Sequence, residues 1–149
     1  MTRKPVARAI GAVCVATVMS LGGAAARQTA APARSTWTGV YSEAQAKRGA
    51  AFYAGRCIRC HGEDLTGVDD ATPLVGPTFL SKWNGQTMAD LLEQTQKSMP
   101  KDQPGTLTRQ QSVDVLAYVL KANAYPASET ELPREIDALK QIRIEQVKK

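Results

Sequence analysis

At 149 residues the chain has room for one domain. Its formal net charge is +5, yet no basic patch interleaved with aromatics appears, so it lacks the footprint of a nucleic-acid binder. Aromatics make up only 5% of the residues, which is thin for a small core that must offset chain entropy, and a large flat apolar cofactor would fill that deficit.

The N-terminus reads as an export signal over residues 1–26. Arg3, Lys4 and Arg8 form a basic start, Ala9 to Leu21 is apolar, and Ala24-Ala25-Ala26 offers an A-x-A cleavage site. The alternative is an uncleaved anchor, because Ala9 to Ala26 approaches spanning length. Cys14 sits inside the apolar run after Val13 and makes a poor lipid-anchor site. Cleavage would leave 123 residues with 16 basic and 14 acidic side chains, a net +2. The expected location is periplasmic or otherwise exported, with no membrane span after cleavage.

Residues 27–36, rich in Ala with Gln, Thr and Pro, read as a flexible leader. A domain is expected over 37–126. Ser42 and Gln45 form a capping box that opens a helix to about Arg56. Ala46, Gly49, Ala50 and Tyr53 fall on one face of it. Glycine inside a helix costs roughly 1 kcal/mol, so close approach by another helix is the expected compensation.

Cys57-Ile58-Arg59-Cys60-His61 follows directly and is the attachment signature of a c-type haem. Two thiols at that spacing add across the porphyrin vinyl groups, and the short turn between them brings His61 beneath the iron as an axial ligand. Competing uses fit less well. Structural zinc wants four Cys or His ligands, and outside this motif the sequence holds only Cys14. A thioredoxin-like pair belongs after a strand, which the residues before Cys57 do not suggest. A disulfide between Cys57 and Cys60 would close too short a loop to stabilise much.

Gly62 to Lys82, punctuated by Gly62, Gly67, Pro73, Gly76 and Pro77, reads as a loop wrapped over a cofactor, anchored by Leu65, Leu74 and Phe79. A capping box of Thr87 and Asp90 starts a helix to about Lys97, and Thr108 with Gln111 starts another ending at Asn123 or Ala124. On the latter, Val113, Leu116, Ala117 and Leu120 keep helical periodicity. Residues 127–149 read as a helical extension opening at Pro133, with acids early and bases late.

His61 is the only histidine, so the second iron ligand is a thioether, an open position, or an unusual lysine or water. Met88 lies in the first turn of a helix, where core packing is its expected role. Met99 precedes Pro100 in a loop 38 residues after His61, enough chain to cross to the other haem face, and is the favoured ligand; its alternative role is gap filling at the haem edge. With both axial positions filled, such an iron passes single electrons and offers no site for substrate. No catalytic residue is expected.

The residues from Trp37-Thr38-Gly39-Val40-Tyr41 through the Cys57 to His61 motif, Leu65, Gly67, Leu74, Gly76, Phe79, Trp83, Met99-Pro100 and Ala117-Tyr118 resemble small class I cytochromes c. The similarity is closest to the cytochrome c domains that accompany quinoprotein (PQQ) dehydrogenases, and it covers roughly residues 37 to 126. The resemblance implies an all-α fold around one haem, with terminal helices crossing near Gly49, Tyr53 and Tyr118. It also implies a proline carbonyl that accepts the other ring N–H of the ligating histidine. The family pattern would put that proline at 72, where this chain has Thr72, so the role passes to Pro73. Trp83 is implied as a donor to a haem propionate, or otherwise as a buried aromatic without that bond.

The function expected is a mono-haem electron carrier between a dehydrogenase donor and an oxidase or other acceptor. Two other readings stay open: a permanent haem subunit of a dehydrogenase complex, and a redox or gas sensor with labile Met99 ligation.

Overall fold

The computed structural model describes Met1, Thr2 and residues 33–146; Arg3, Lys4, Arg8, Cys14 and the Ala24-Ala25-Ala26 site of the expected signal lie outside the described residues. In chain order the elements are β1 (Arg34–Ser35), α1 (Glu43–Arg56), α2 (Ile58–His61), α3 (Gly76–Trp83), α4 (Met88–Ser98), α5 (Arg109–Ala122), α6 (Ile136–Leu139) and β2 (Ile142–Arg143). The architecture is mostly helical, as expected. No helix among the described residues is long and apolar enough to cross a membrane.

The core is built on the crossing of α1 and α5. Gly49 makes the crossing possible: a Cβ there would lie 1.8 Å from the Asp114 carbonyl oxygen. One turn further on, the rings of Tyr53 and Tyr118 pack with centroids 5.2 Å apart. Arg48 adds a fork to both Asp114 oxygens, at 3.1 and 3.0 Å, and reaches Glu131 at 2.9 Å. Ser42 caps α1 by accepting from the Gln45 N–H. The box expected there is half formed, because the Gln45 amide turns to the C-terminal segment instead. Its Nε2 donates to the Leu132 carbonyl at 3.1 Å and its Oε1 accepts from the Leu132 N–H at 2.7 Å, all fully buried.

Both later capping boxes form in full, at Thr87 with Asp90 and at Thr108 with Gln111. Asp90 accepts from the Thr87 hydroxyl and N–H, and these bonds hold its carboxyl below the ordinary 3.8. Met88 is fully buried in the core, which is the packing role expected of it.

Three expectations are corrected. Gly62 to Lys82 is not loop throughout, because α3 begins at Gly76 with Pro77 in its first turn. Proline lacks the N–H that the first turn leaves unpaired anyway, so Gly-Pro here starts a helix rather than a turn. The extension after 126 is helical for a single turn, α6, and then enters β2. That strand pairs in parallel with β1, Arg34 opposite Ile142 and Ser35 opposite Arg143. The last residues of the expected leader thus belong to the folded body, and Thr36 is fully buried. Trp37 and Tyr125 both donate to the Glu145 carbonyl, at 2.9 Å each, closing the wrap.

Candidate functional site

α1 ends where the Cys57 N–H donates to the Tyr53 carbonyl at 2.8 Å, and the chain re-enters a single turn, α2, that carries Cys60 and His61. The His61 N–H closes on the Cys57 carbonyl at 3.0 Å, which fixes the two cysteines and the imidazole on one turn. The two thiols are not joined to each other. Burial pushes the Cys57 thiol up to about 11, against the opposing pull of the Arg56 charge. Among the described residues, no cluster of three or more His, Cys, Asp or Glu gathers around a point.

His61 is buried, and its Nδ1 lies 3.1 Å from the Thr72 carbonyl. A carbonyl only accepts, so Nδ1 carries the proton and Nε2 keeps its lone pair for a metal. Burial lowers the imidazole below its ordinary 6.5, which favours the neutral form, while the Thr72 bond opposes that shift. The orienting carbonyl therefore belongs to Thr72 and not to Pro73. Pro73 has a different part: its ring disfavours the helical region for the residue before it, which is Thr72.

The segment between His61 and Thr72 is pinned to the motif by its backbone. The Gly67 N–H donates to the His61 carbonyl at 3.0 Å and the Val68 N–H to the Cys60 carbonyl at 2.8 Å. Gly67 has φ +86° and its missing Cβ would sit 2.1 Å from the Ala71 carbonyl oxygen, so the tight return needs glycine. The Tyr53 hydroxyl holds the Gly62 carbonyl at 2.7 Å.

A cavity of about 590 Å³ opens between these pieces, within the range usual for a cofactor site. Cys57, Cys60, His61, Pro73, Trp83 and Met99 all line it. Met99 caps the end of α4, donating its N–H to the Thr95 carbonyl at 2.9 Å, and is joined to Pro100 by a cis peptide bond. Leu91, Leu107, Val115, Leu116 and Val119 supply apolar wall. The Trp83 ring is buried, and its indole N–H meets no protein acceptor among the described residues; Lys82 Nζ stands 5.5 Å from the ring centre.

Two contacts had no signal in the sequence. Arg59 pairs with Asp102 at 3.1 Å, and Arg56 with Gln103 at 3.0 Å, so the motif reaches directly to the loop that follows Met99. Arg59 and Asp102 stand 43 positions apart, and only the fold brings the two segments together.

Two free thiols one turn apart, a neutral imidazole with one nitrogen already engaged, a thioether and apolar walls together fit covalent haem. Fold and cavity define a class I c-type cytochrome. The family described as cytochrome c oxidase, cbb3-type, subunit III matches residues 44–119, about half of the chain, and the protein belongs to that family. Its membership implies covalently bound haem c and electron transfer. The crystal structure of the sulfane dehydrogenase SoxCD from Paracoccus pantotrophus is similar at 23% identity and a TM-score of 0.42, over 54% of this chain and 44% of that one. The chain thus spans less than half the length of that structure. No curated protein matches it.

Proposed function

We propose that the protein is an exported mono-haem cytochrome that carries single electrons from a dehydrogenase to a downstream acceptor. Cys57 and Cys60 hold the porphyrin by thioethers, His61 Nε2 and the Met99 sulfur ligate the iron, and the Trp83 N–H serves a propionate. Bound haem c supplies a reversible ferric–ferrous couple. The chain's own part is to keep the His61 ring in one tautomer through the Thr72 carbonyl, to present a soft sulfur that favours the ferrous state, and to exclude water with Leu91, Leu116 and Val119.

The observation that carries this reading is the convergence of both thiols, the imidazole and the Met99 thioether on one cavity. Export is read from the order of basic start, apolar run and A-x-A ending in residues 1–26. A quinoprotein dehydrogenase is the donor suggested by the resemblance, and docking is transient, through a small patch at the haem edge. The family description, which names an oxidase subunit, favours a second reading in which the protein is the permanent haem subunit of a larger complex.

A potentiometric titration of the purified holoprotein, followed by exposure of the ferrous form to carbon monoxide, tests the proposal. The expected result is a single one-electron wave and no carbon monoxide complex. Ready complex formation would mean an open iron and overturn the carrier assignment. Gel filtration at native levels separates a free carrier from a permanent subunit.

A further inference from the structure

His61 takes its orientation from a backbone carbonyl on an exposed residue. The Thr72 side chain makes no hydrogen bond among the described residues, so the carbonyl stays in place only through its neighbours. Upstream, the Ala71 N–H donates to the Val68 carbonyl at 3.0 Å, and Val68 is itself tied to Cys60. Downstream, the Leu74 N–H donates to the Leu65 carbonyl at 2.8 Å. Leu74 and Val75 also pack against the core, and among the described residues the remaining hydrogen-bond anchor is a side chain from the far end of α5.

Asn123 follows the last residue of that helix. Its Nδ2 donates to the Leu74 carbonyl at 2.9 Å and to the Val119 carbonyl at 2.9 Å, while its Oδ1 accepts from the Gly76 N–H at 3.1 Å. Exchanging the amide's two ends would lose all three bonds, which fixes its orientation. One amide therefore fastens both sides of Val75 to the most buried helix of the fold, two residues beyond the carbonyl that serves His61.

We infer that Asn123 is a positioning residue for the iron's histidine: it holds the 72–76 segment against α5 so that the Thr72 carbonyl stays within hydrogen-bond reach of His61 Nδ1. The inference rests on His61 being the ligand proposed above. An engaged Nδ1–H makes the ring a better donor to the metal, which stabilises the ferric state. Releasing the segment weakens that bond and raises the potential.

The test compares three haem-loaded proteins: the parent, Asn123→Ala, and Arg48→Ala as a control. The control also loses side-chain bonds to α5, but far from residues 72–76. Midpoint potential and solvent exchange of the His61 Nδ1–H, followed by NMR in the ferrous state, are the readouts. Asn123→Ala should raise the ferrous-to-ferric ratio at fixed potential by about three- to tenfold, or about 30–60 mV at 59 mV per tenfold for one electron. Exchange should quicken by about tenfold or more. Arg48→Ala should melt lower with both readouts unmoved.

The inference is overturned if Asn123→Ala lowers the melting temperature but leaves potential and exchange at parental values, or if the control moves them equally. Should Asn123→Ala fail to hold haem, the parent decides: opening of the clamp releases the Gly76 amide and the Nδ1–H together, so unrelated exchange rates for those two protons overturn it. A parental His61 ring with no signal shift from a bound porphyrin would instead defeat the ligand assignment, so the two failures are distinguishable.

Discussion

Replacing Gly49 with alanine places a methyl group at the point where α1 and α5 touch backbone to backbone. The new carbon would stand 1.8 Å from the Asp114 carbonyl oxygen, where side-chain carbons essentially never come closer than 3.0 Å, so the helices must part by at least 1.2 Å. Overpacking of this kind costs about 1–3 kcal/mol, and two backbones that cannot swing aside place it at the upper end. Alanine returns about 1 kcal/mol of helix propensity, which leaves a net loss of about 2 kcal/mol. For a domain of this size that is a melting point lower by roughly 8 °C. Thermal unfolding of the haem-loaded protein by far-ultraviolet circular dichroism measures it. Because α1 delivers Cys57 while α5 supplies Val115, Leu116 and Val119 to the cavity wall, a change in the haem absorption spectrum should accompany the loss. A melting point equal to or above the parent's would refute the reasoning, since it would mean that the helices do not meet at Gly49.

Met99→Ala should lower the reduction potential by a sizeable part of the roughly 0.8 V range that axial ligands control, and should let the ferrous form bind carbon monoxide; an unchanged potential removes Met99 as ligand. Gln45→Ala strands the buried N–H and carbonyl of Leu132 and should cost about 1–3 kcal/mol in chemical denaturation; a midpoint at the parental value would mean that the tail does not depend on the clamp. Asp90 titrates below its ordinary value in the folded protein, so its contribution is present above about pH 3.8 and is lost as pH falls through the lower folded value. Asp90→Asn should flatten that acid limb of the stability profile, and an unaltered limb would assign it to other groups.

Much of this arrangement was legible because it is written locally. The hydroxyl-and-acceptor pairs at Ser42, Thr87 and Thr108 mark three helix starts, the Cys57 to His61 spacing marks the attachment turn, and Gly49 marks the crossing. What escaped reading depends on distant partners or on backbone atoms. Gln45 has the identity of a capping residue, but Leu132 offers two buried backbone groups that no local bond satisfies, and these win its amide. The tail from Pro133 carries a helix-like charge order, yet β1 lies beside it and takes Ile142 and Arg143 into a ladder. Gly76-Pro77 is ambiguous by nature, since the same pair suits a turn and a first helical turn. The carbonyl that orients His61 is a main-chain group, invisible in the identity of Thr72, and the proline expected in that role stands one residue further along.

In the function proposed here, this polypeptide holds its porphyrin by two covalent bonds. Extraction of the denatured protein with acidified acetone, after production in cells competent in cytochrome maturation, examines that most directly. Colour that stays with the protein, and is released when Cys57 and Cys60 are both alanine, is the predicted outcome. Pigment that leaves the parent protein freely, or a parent that is colourless from the start, would contradict it.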